Sequence, residues 1–313
     1  MEPIQYLYNL NHPDYEEELC ALEVKSIFNI RLLDKVFFEN KKVNPSISPF
    51  LKNRLKIMFS CDTFNEMIQS VIDAEINATD FLVKYVRLYK NDPPFKMRRK
   101  YCKDLGYLIN GDPLFTEPKT IFGITCYNDV WYFGQLIEND SKWKTHNDKP
   151  YTYSSSLNIN TAKALVNIAG YEDRTKRLVD PCCGVGTVLL EAAIAGYDIK
   201  GWEINRKIAE NARENLKHFD YEVEVTTGDI NNIIENFDTS IIDLPYGNFS
   251  LMSHDELVLI IQNAKRISNR LVIVSAKDIS NEIQNENIEI IESCEVGKNR
   301  NGGFIRYIWV CES

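Results

Sequence analysis

Asp180-Pro181-Cys182-Cys183-Gly184-Val185-Gly186-Thr187 is the stretch whose reading decides this chain. A β-type run precedes it at 177–182, and a helical pattern follows at 187–195. Two glycines with one residue between them let a backbone turn tightly and come close to a ligand. The helix that opens behind them presents N–H groups without intrahelical partners. A dinucleotide fingerprint would put a third glycine at position 189, where this chain has Leu189, so a nicotinamide cofactor is the weaker reading.

Working outward, β-type runs recur at 177–182, 197–204, 222–227, 239–244, 270–276, 287–295 and 303–311. Helical stretches at 187–195, 205–218 and 254–267 separate the early ones, behind an amphipathic helix at 160–169. Strand–helix alternation of this kind predicts an α/β fold with a doubly wound, mainly parallel sheet. The last two runs lack a long helix between them, so the final strand is expected to return antiparallel.

Four successive strand ends carry an acid: Asp180, Glu203, Asp229 and Asp243. Any one of them is explained as a turn residue or helix cap. Four together are not, because in an open α/β sheet ligands sit at the carboxyl ends of the strands. The acid at the second strand end stands where a carboxylate accepts both hydroxyls of a ribose. The sharpest signal is Asp243-Leu244-Pro245-Tyr246-Gly247. A carboxylate, a proline-stiffened turn and an aromatic plane can grip a planar group that bears an exocyclic amine. Asp243 and the Leu244 carbonyl would accept N–H bonds, and Tyr246 would stack on the ring. The structural alternative is a buried tight turn with Tyr246 as core filler.

The chain has 313 residues, 44% hydrophobic and 26% charged, which is ordinary for a soluble protein of about two domains. No apolar run reaches the ~18–20 residues needed to span a bilayer. Asp14, Glu16, Glu17 and Glu18 do not fit a signal or transit peptide, and the expected location is cytoplasmic, with no membrane partner. The eight cysteines include no C-x-x-C pair and the four histidines are scattered, so no metal site is expected.

Charge is unevenly spread. Residues 151–313 hold 16 Lys+Arg against 24 Asp+Glu, whereas residues 1–150 hold 20 against 21. That near-neutral half contains a basic island of Lys84, Arg87, Lys90, Lys96, Arg98, Arg99, Lys100 and Lys103, opposed only by Asp92. Such a patch can hold phosphates on an acidic protein, because the local field matters more than net charge; a solvated helix face is the plain alternative. The patterns around it predict a helix over 12–29, strands at 54–60 and 81–88 about a helix at 63–76, and a basic helix from Phe95 to Ile109. Two strands at 120–127 and 130–137 follow, joined at Asn128-Asp129. This half is mixed α+β, and the polar stretch 138–150 reads as a linker.

DPCCGVGT, Glu203, Asp229 and DLPYG together resemble the S-adenosyl-L-methionine (SAM) site and the (D/N)-x-P-Y motif of class I amino-methyltransferases. Within that superfamily the chain resembles the THUMP-containing RNA methylases, which include the archaeal and eukaryotic tRNA guanine-N2 methyltransferases. Asn11-His12-Pro13 with the acidic helix resembles that family's start. Asp92-Pro93-Pro94 through Trp131-Tyr132-Phe133-Gly134 resembles the later part of its RNA-binding region. Lys149-Pro150 with YSSSLNINTAKALVNIA resembles the linker into its catalytic domain. Leu244 stands where the commonest version of the motif has proline, Cys182 occupies a variable position of the first loop, and a full THUMP pattern is not matched over 30–80.

The resemblance implies an N-terminal α+β THUMP-like RNA-binding region over 1–145, a linker and lead-in helix over 146–165, and a Rossmann-like class I methyltransferase domain over 166–313. The sheet of that domain is expected to be seven-stranded. The activity implied is methyl transfer from SAM to the N2 amine of a tRNA guanosine, with position 10 the candidate nucleotide. The alternatives within enzymes are ribosomal RNA guanine-N2 or nucleic-acid adenine-N6 methylation; the alternative of another class is a catalytically silent RNA-binding protein. Donor-binding residues implied are Asp180, Cys183, Gly184, Gly186, Thr187, Glu203, Ile204, Asp229, Ile230 and Asp243, with Trp202 or Ile204 flanking the adenine. Asp243, Leu244, Pro245 and Tyr246 are the catalytic candidates. The RNA-binding candidates are Lys84, Arg87, Lys96, Arg98, Arg99, Lys100 and Lys103, with tRNA as the partner. Tyr85, Tyr89, Tyr101 and Tyr107 nearby could stack on unpaired bases, but their helix and strand spacing reads more often as core, as does that of Phe95 and Trp131.

Overall fold

The computed structural model describes residues 4–88, 92–153, 156–170, 173–245, 253–297 and 304–313. The chain forms two compact units, one of residues up to Asn11 with Leu33–Asp140, the other of His12–Leu32 with Ser141–Ser313.

The first unit is built on a six-stranded sheet. Its strands are β1 (Tyr6–Leu10), β2 (Val36–Glu39), β3 (Leu51–Cys61), β4 (Phe81–Tyr85), β5 (Thr120–Tyr127) and β6 (Val130–Glu138), in the order β2-β1-β3-β6-β5-β4. Pairing is antiparallel except between β4 and β5. The β5–β6 hairpin closes at Asn128-Asp129, both with positive φ (50° and 62°), the conformation a two-residue hairpin turn requires and Asn/Asp tolerate. Met67 and Val71 of α2 (Phe64–Asp73) and Leu105 of α3 (Phe95–Gly106) are buried against Phe81, Phe122, Ile124 and Phe133 of the sheet. The strands and helices expected around these positions are present. Strands β1 and β2, which the sequence patterns did not reveal, complete the sheet.

The second unit carries the expected strand–helix alternation. Its helices are α1 (Glu17–Phe28), α4 (Ile159–Gly170), α5 (Thr187–Ile194), α6 (Arg206–His218), α7 (His254–Ile267) and α8 (Ser280–Asn285). Its strands are β7 (Arg177–Asp180), β8 (Asp198–Glu203), β9 (Val225–Thr227), β10 (Phe237–Asp243), β11 (Ser268–Ser275), β12 (Glu289–Gly297) and β13 (Ile305–Glu312). The seven strands run in the order β12-β13-β11-β10-β7-β8-β9. Pairs from β11 to β9 are parallel, and β13 is antiparallel to both β11 and β12. This is the expected Rossmann-like, doubly wound and mainly parallel arrangement with a reversed last strand. The central strands β10 and β11 are buried on both faces over Thr239–Ile242 and Leu271–Ser275, and the Leu271–Val274 part of β11 reads as a continuous apolar run.

Residues 12–32 sit with this second unit, whereas the division read from the sequence leaves them in the N-terminal region. The reason is packing. Helix α4 is buried along its whole length, and α1 covers it with Leu19, Leu22, Val24 and Ile27 on its buried side. Two buried polar side chains lock the pair, Asn167 Nδ2 donating to Glu23 Oε1 at 2.6 Å. Periodicity locates a helix; it does not name the surface that the helix covers. Among the described residues no helix is long and apolar enough to cross a membrane.

Candidate active site

Strand β7 lies between β8 and β10, and the chain winds outward from it in both directions. That is the topological switch point at which open α/β sheets bind ligands. The loop after β7 is held from within and from the next strand: Cys183 N–H donates to Trp202 O at 2.9 Å, and Gly186 N–H to Cys183 O at 2.8 Å. Gly184 and Gly186 have φ of 54° and 82°, a region that L side chains rarely adopt. A Cβ placed on Gly184 would meet nothing within 4 Å, so this turn faces open space.

The leucine that breaks the dinucleotide pattern has a local explanation. A Cβ on Gly201 of β8 would lie 2.6 Å from Leu189 Cδ1 and 3.1 Å from Cys183 Sγ. Close helix–strand approach is therefore supplied by a glycine on the strand instead of one on the helix. The same packing places the Cys183 thiol against Gly201, and its N–H is committed to Trp202, so Cys183 packs the loop and offers a ligand neither group.

The four strand-end acids come together. Asp180 is 2% exposed and its Oδ1 accepts Cys182 N–H at 3.2 Å. Burial holds its carboxyl well above the usual carboxylate range, and the nearby Asp243 and Glu203 push the same way. The Cys182 thiol is likewise pushed up, first by burial and then by Asp180, Glu203, Asp243 and Asp229. One thiol thus feels all four acids. Glu203 accepts Gly184 N–H at 3.0 Å and Asn205 N–H at 2.8 Å, which ties the acid of β8 to the glycine loop. Asp229 accepts Asn231 N–H at 2.9 Å in the turn after β9. Asp243, half-buried, ends β10.

Other expected site residues are distributed as follows. Thr187 opens α5 with its Oγ1 buried and without a hydrogen-bond partner among the described residues. Ile204 is 70% exposed, free to lie against a ring. Trp202 is core, edge-on to Phe237 with centroids 5.9 Å apart, so of the two adenine-flanking candidates only Ile204 is open to a ligand. Ile230 is also a core side chain. Leu244 is buried and its N–H donates to Val274 O at 2.9 Å; only its carbonyl can serve a substrate. Pro245 is exposed, and Tyr246 and Gly247 lie outside the described residues.

One residue of the site was not found from sequence. Asn215 of α6 is fully buried; its Nδ2 donates to Val185 O in the glycine loop and to Tyr151 O, and its Oδ1 accepts Tyr151 N–H, each at 2.9 Å. The available signal was an amide on the buried face of an amphipathic helix, beside Ala212 and Leu216.

Within the first unit, α3 exposes Lys96, Arg99, Lys100 and Lys103, with Arg98 half-buried. The guanidinium groups of Arg98 and Arg99 lie 5.9 and 5.7 Å from the Phe95 ring, and Lys103 lies 5.4 Å from that of Tyr107. Both rings are largely exposed, at 65% and 76%. Lys84 instead pairs with Glu138 at 2.5 Å, and Arg87 approaches Asp92 at 3.8 Å. Tyr85 packs against the core beneath, the half-buried Tyr101 lies against the rings of Phe64, Tyr85 and Trp131, and Tyr89 lies outside the described residues. Among the described residues no cluster of His, Cys, Asp or Glu could hold a metal ion.

Residues 146–297 match the family described as UPF0020, RMKL-like, methyltransferase domain. The chain is 33% identical over 186 residues to a tRNA (guanine(10)-N2)-dimethyltransferase of Methanothermobacter thermautotrophicus, covering 52% of this chain and 53% of the relative. It is 29% identical over 171 residues to the protein of the same name from Pyrococcus abyssi, covering 50% of each. The chain therefore spans about half the length of the curated relatives it matches. Among solved structures, TrmN from Thermus thermophilus aligns over 99% of both chains with a TM-score of 0.48 and 12% identity.

Proposed function

We propose that this protein is a SAM-dependent RNA methyltransferase that places a methyl group on the exocyclic N2 amine of a guanosine in tRNA, with position 10 as the target. The observation that carries the reading is the convergence of four strand-end acids on a glycine loop that faces open space and leads into Thr187, whose buried hydroxyl has no hydrogen-bond partner among the described residues. Orphaned hydroxyl, open loop and acids fit a cationic, ribose-bearing donor. The sequence match to proteins named for guanine-10 N2 dimethylation supports the choice of amine and of RNA.

When bound, SAM supplies a methyl group on a sulfonium. Asp180, Gly184, Gly186 and Thr187 would hold its methionine end. Asp180 receives a positive amino group there, which favours the ionised carboxylate that burial alone disfavours. Glu203 would take the ribose hydroxyls and Asp229 the adenine amine, with Ile204 against the ring. Asp243 would accept one N–H of the target amine, so that the nitrogen lone pair points at the methyl carbon. Alignment of this kind can contribute ~7–11 kcal/mol in favourable cases. Asp243 need not be a strong base, because the methylated nitrogen is acidic enough to lose its proton to water. Pro245 stiffens the turn, and Tyr246 would support the extruded base, whose unstacking costs a few kcal/mol.

The first unit would hold the tRNA as a THUMP-like module. The first turn of α3 has no acid, no side-chain cap and several cations, an arrangement that opposes the helix dipole and suits phosphate. Phe95 and Tyr107 offer exposed faces for unpaired bases. The test is methylation of total tRNA with methyl-labelled SAM, followed by mapping of the labelled nucleoside. Label in N2-methylguanosine or N2,N2-dimethylguanosine at position 10 supports the reading; label in another base, or none, refutes it.

A further inference from the structure

Helix α7 grips the turn after β9 through a set of side-chain bonds. The Arg266 guanidinium donates to three main-chain carbonyls within four residues: Nη1 to Ile233 O at 2.6 Å, and Nη2 to Ile230 O at 3.2 Å and Asn231 O at 3.4 Å. One turn earlier on α7, Asn263 Nδ2 donates to Asn231 Oδ1 at 2.5 Å. Asn263 Oδ1 accepts from Arg266 Nε and Nη2 at 3.1 and 3.0 Å, which locks the two side chains together. Asn231 is thus held by its side chain and by its carbonyl. Its N–H is the group that donates to Asp229 Oδ1 at 2.9 Å.

The consequence is a chain of fixed bonds from α7 to one carboxylate. With Oδ1 engaged by Asn231, Oδ2 is the oxygen this bond leaves to a ligand. A planar fork with five donors is suited to several acceptors at once; an ammonium is a point charge and is not. Asn263 is buried, whereas Arg266 is exposed and fills no place in the core. Its role is in the bonds it makes to the turn.

We propose that Arg266 and Asn263 are positioning residues that set adenine specificity: by fixing the turn 229–233 they hold the Asp229 carboxylate where it reads the amine of the donor's base. The inference rests on the donor-site reading above. It predicts that the two side chains matter most for a donor base that carries an amine. Hypoxanthine has a carbonyl oxygen in place of that amine, which a carboxylate repels.

Calorimetric titration of the full chain with S-adenosylhomocysteine and with S-inosylhomocysteine tests it, in wild type, Arg266→Ala and Arg266→Lys. Wild type should bind the adenosyl compound and strongly disfavour the inosyl one. Arg266→Ala should weaken the adenosyl compound about tenfold, the scale of one lost hydrogen bond to a charged group. Binding of the inosyl compound should change little, so the discrimination ratio falls. Arg266→Lys should recover only part of that ratio. Equal weakening of both compounds, or no change in either, would overturn the proposal, with thermal denaturation confirming that the variants are folded. A wild-type chain that binds neither compound refutes the donor site itself, and this inference falls with it.

Discussion

The two units use opposite charges under opposite physical conditions. In the second, carboxylates are wholly or half buried, Asp180, Glu203 and Asp229 are placed by main-chain N–H groups, and the burial of Asp180 together with the nearby Asp243 and Glu203 raises its proton affinity. In the first, the cations of α3 stand in solvent, backed by aromatic rings, and Lys96, Arg99, Lys100 and Lys103 have no ion pair among the described residues. A small ligand is recognised by directional bonds, so its receptor must be rigid, and burial supplies rigidity at the cost of desolvation. A polyanion is recognised by summed field and counterion release, which need no fixed geometry. Each unit has the form that its proposed partner demands.

The comparison can be broken most drastically by cutting the chain. The second unit is assembled from both ends of the sequence, so a fragment of residues 141–313 lacks α1 and uncovers α4. Losing the burial of Leu19, Leu22, Ile27 and Phe28 costs roughly 1.5–3 kcal/mol per side chain, comparable to the whole stability of a domain. Such a fragment should be insoluble or unfolded by circular dichroism, and supplying residues 12–32 as a fused helix should restore it. A cooperatively folded fragment would show that α1 is dispensable to this unit.

Next in size is the acid at the end of β10. Asp243→Ala should lower the rate of methyl transfer by about 100-fold or more, the range of a positioned proton acceptor, while tRNA affinity stays within about twofold. Turnover near wild type in a labelled-methyl assay would remove Asp243 from the chemistry. The cations of the first unit should show the converse pattern. Charge reversal of Arg98, Arg99 and Lys100 should leave binding of S-adenosylhomocysteine unchanged but weaken tRNA. It should also reduce the slope of log affinity against log salt by about 0.7–0.9 for each phosphate that is no longer neutralised. An unaltered slope would make α3 a merely soluble face.

The smallest effect sharpens the account of burial. The Asp180 carboxyl is held above its ordinary range, so between the unfolded value of about 3.9 and the folded one, the folded state keeps a proton that the unfolded state has lost. Stability then falls as pH rises through that window. Asp180→Asn has no such dependence. Its Tm relative to wild type should therefore climb from about pH 4 upward and level off above the folded value, while donor binding is lost. A Tm difference that is flat with pH would mean that Asp180 is not desolvated in the free protein.

Much of the candidate site is legible because β-type runs end on acids. An acid closing such a run marks a strand end, and Asp180, Glu203 and Asp243 end β7, β8 and β10, with Asp229 two residues beyond β9. The seven strands of the second unit and the reversal of its last strand followed from alternation and from a missing helix. What could not be seen were features whose cause lies elsewhere in the chain. Strand β2 is short and only Val36 is buried, so it carries little pattern of its own. Asn215 looks like any polar residue of an amphipathic helix until its two carbonyl partners are known. Trp202 is a sequence candidate for the adenine, yet in the fold its ring packs edge-on against Phe237 in the core.

Local order and residue type at the strand ends were thus determined by the sequence alone, since helix and strand periodicity and turn chemistry act over a few residues. The tertiary structure decided that α1 belongs with the second unit, that Gly201 supplies the room Leu189 takes, and that α7 holds the turn bearing Asp229. It also decided which acids are strained by burial. Desolvation, steric fit and charge–charge coupling depend on distance through space, and residues far apart along the chain acquire that distance only when it folds.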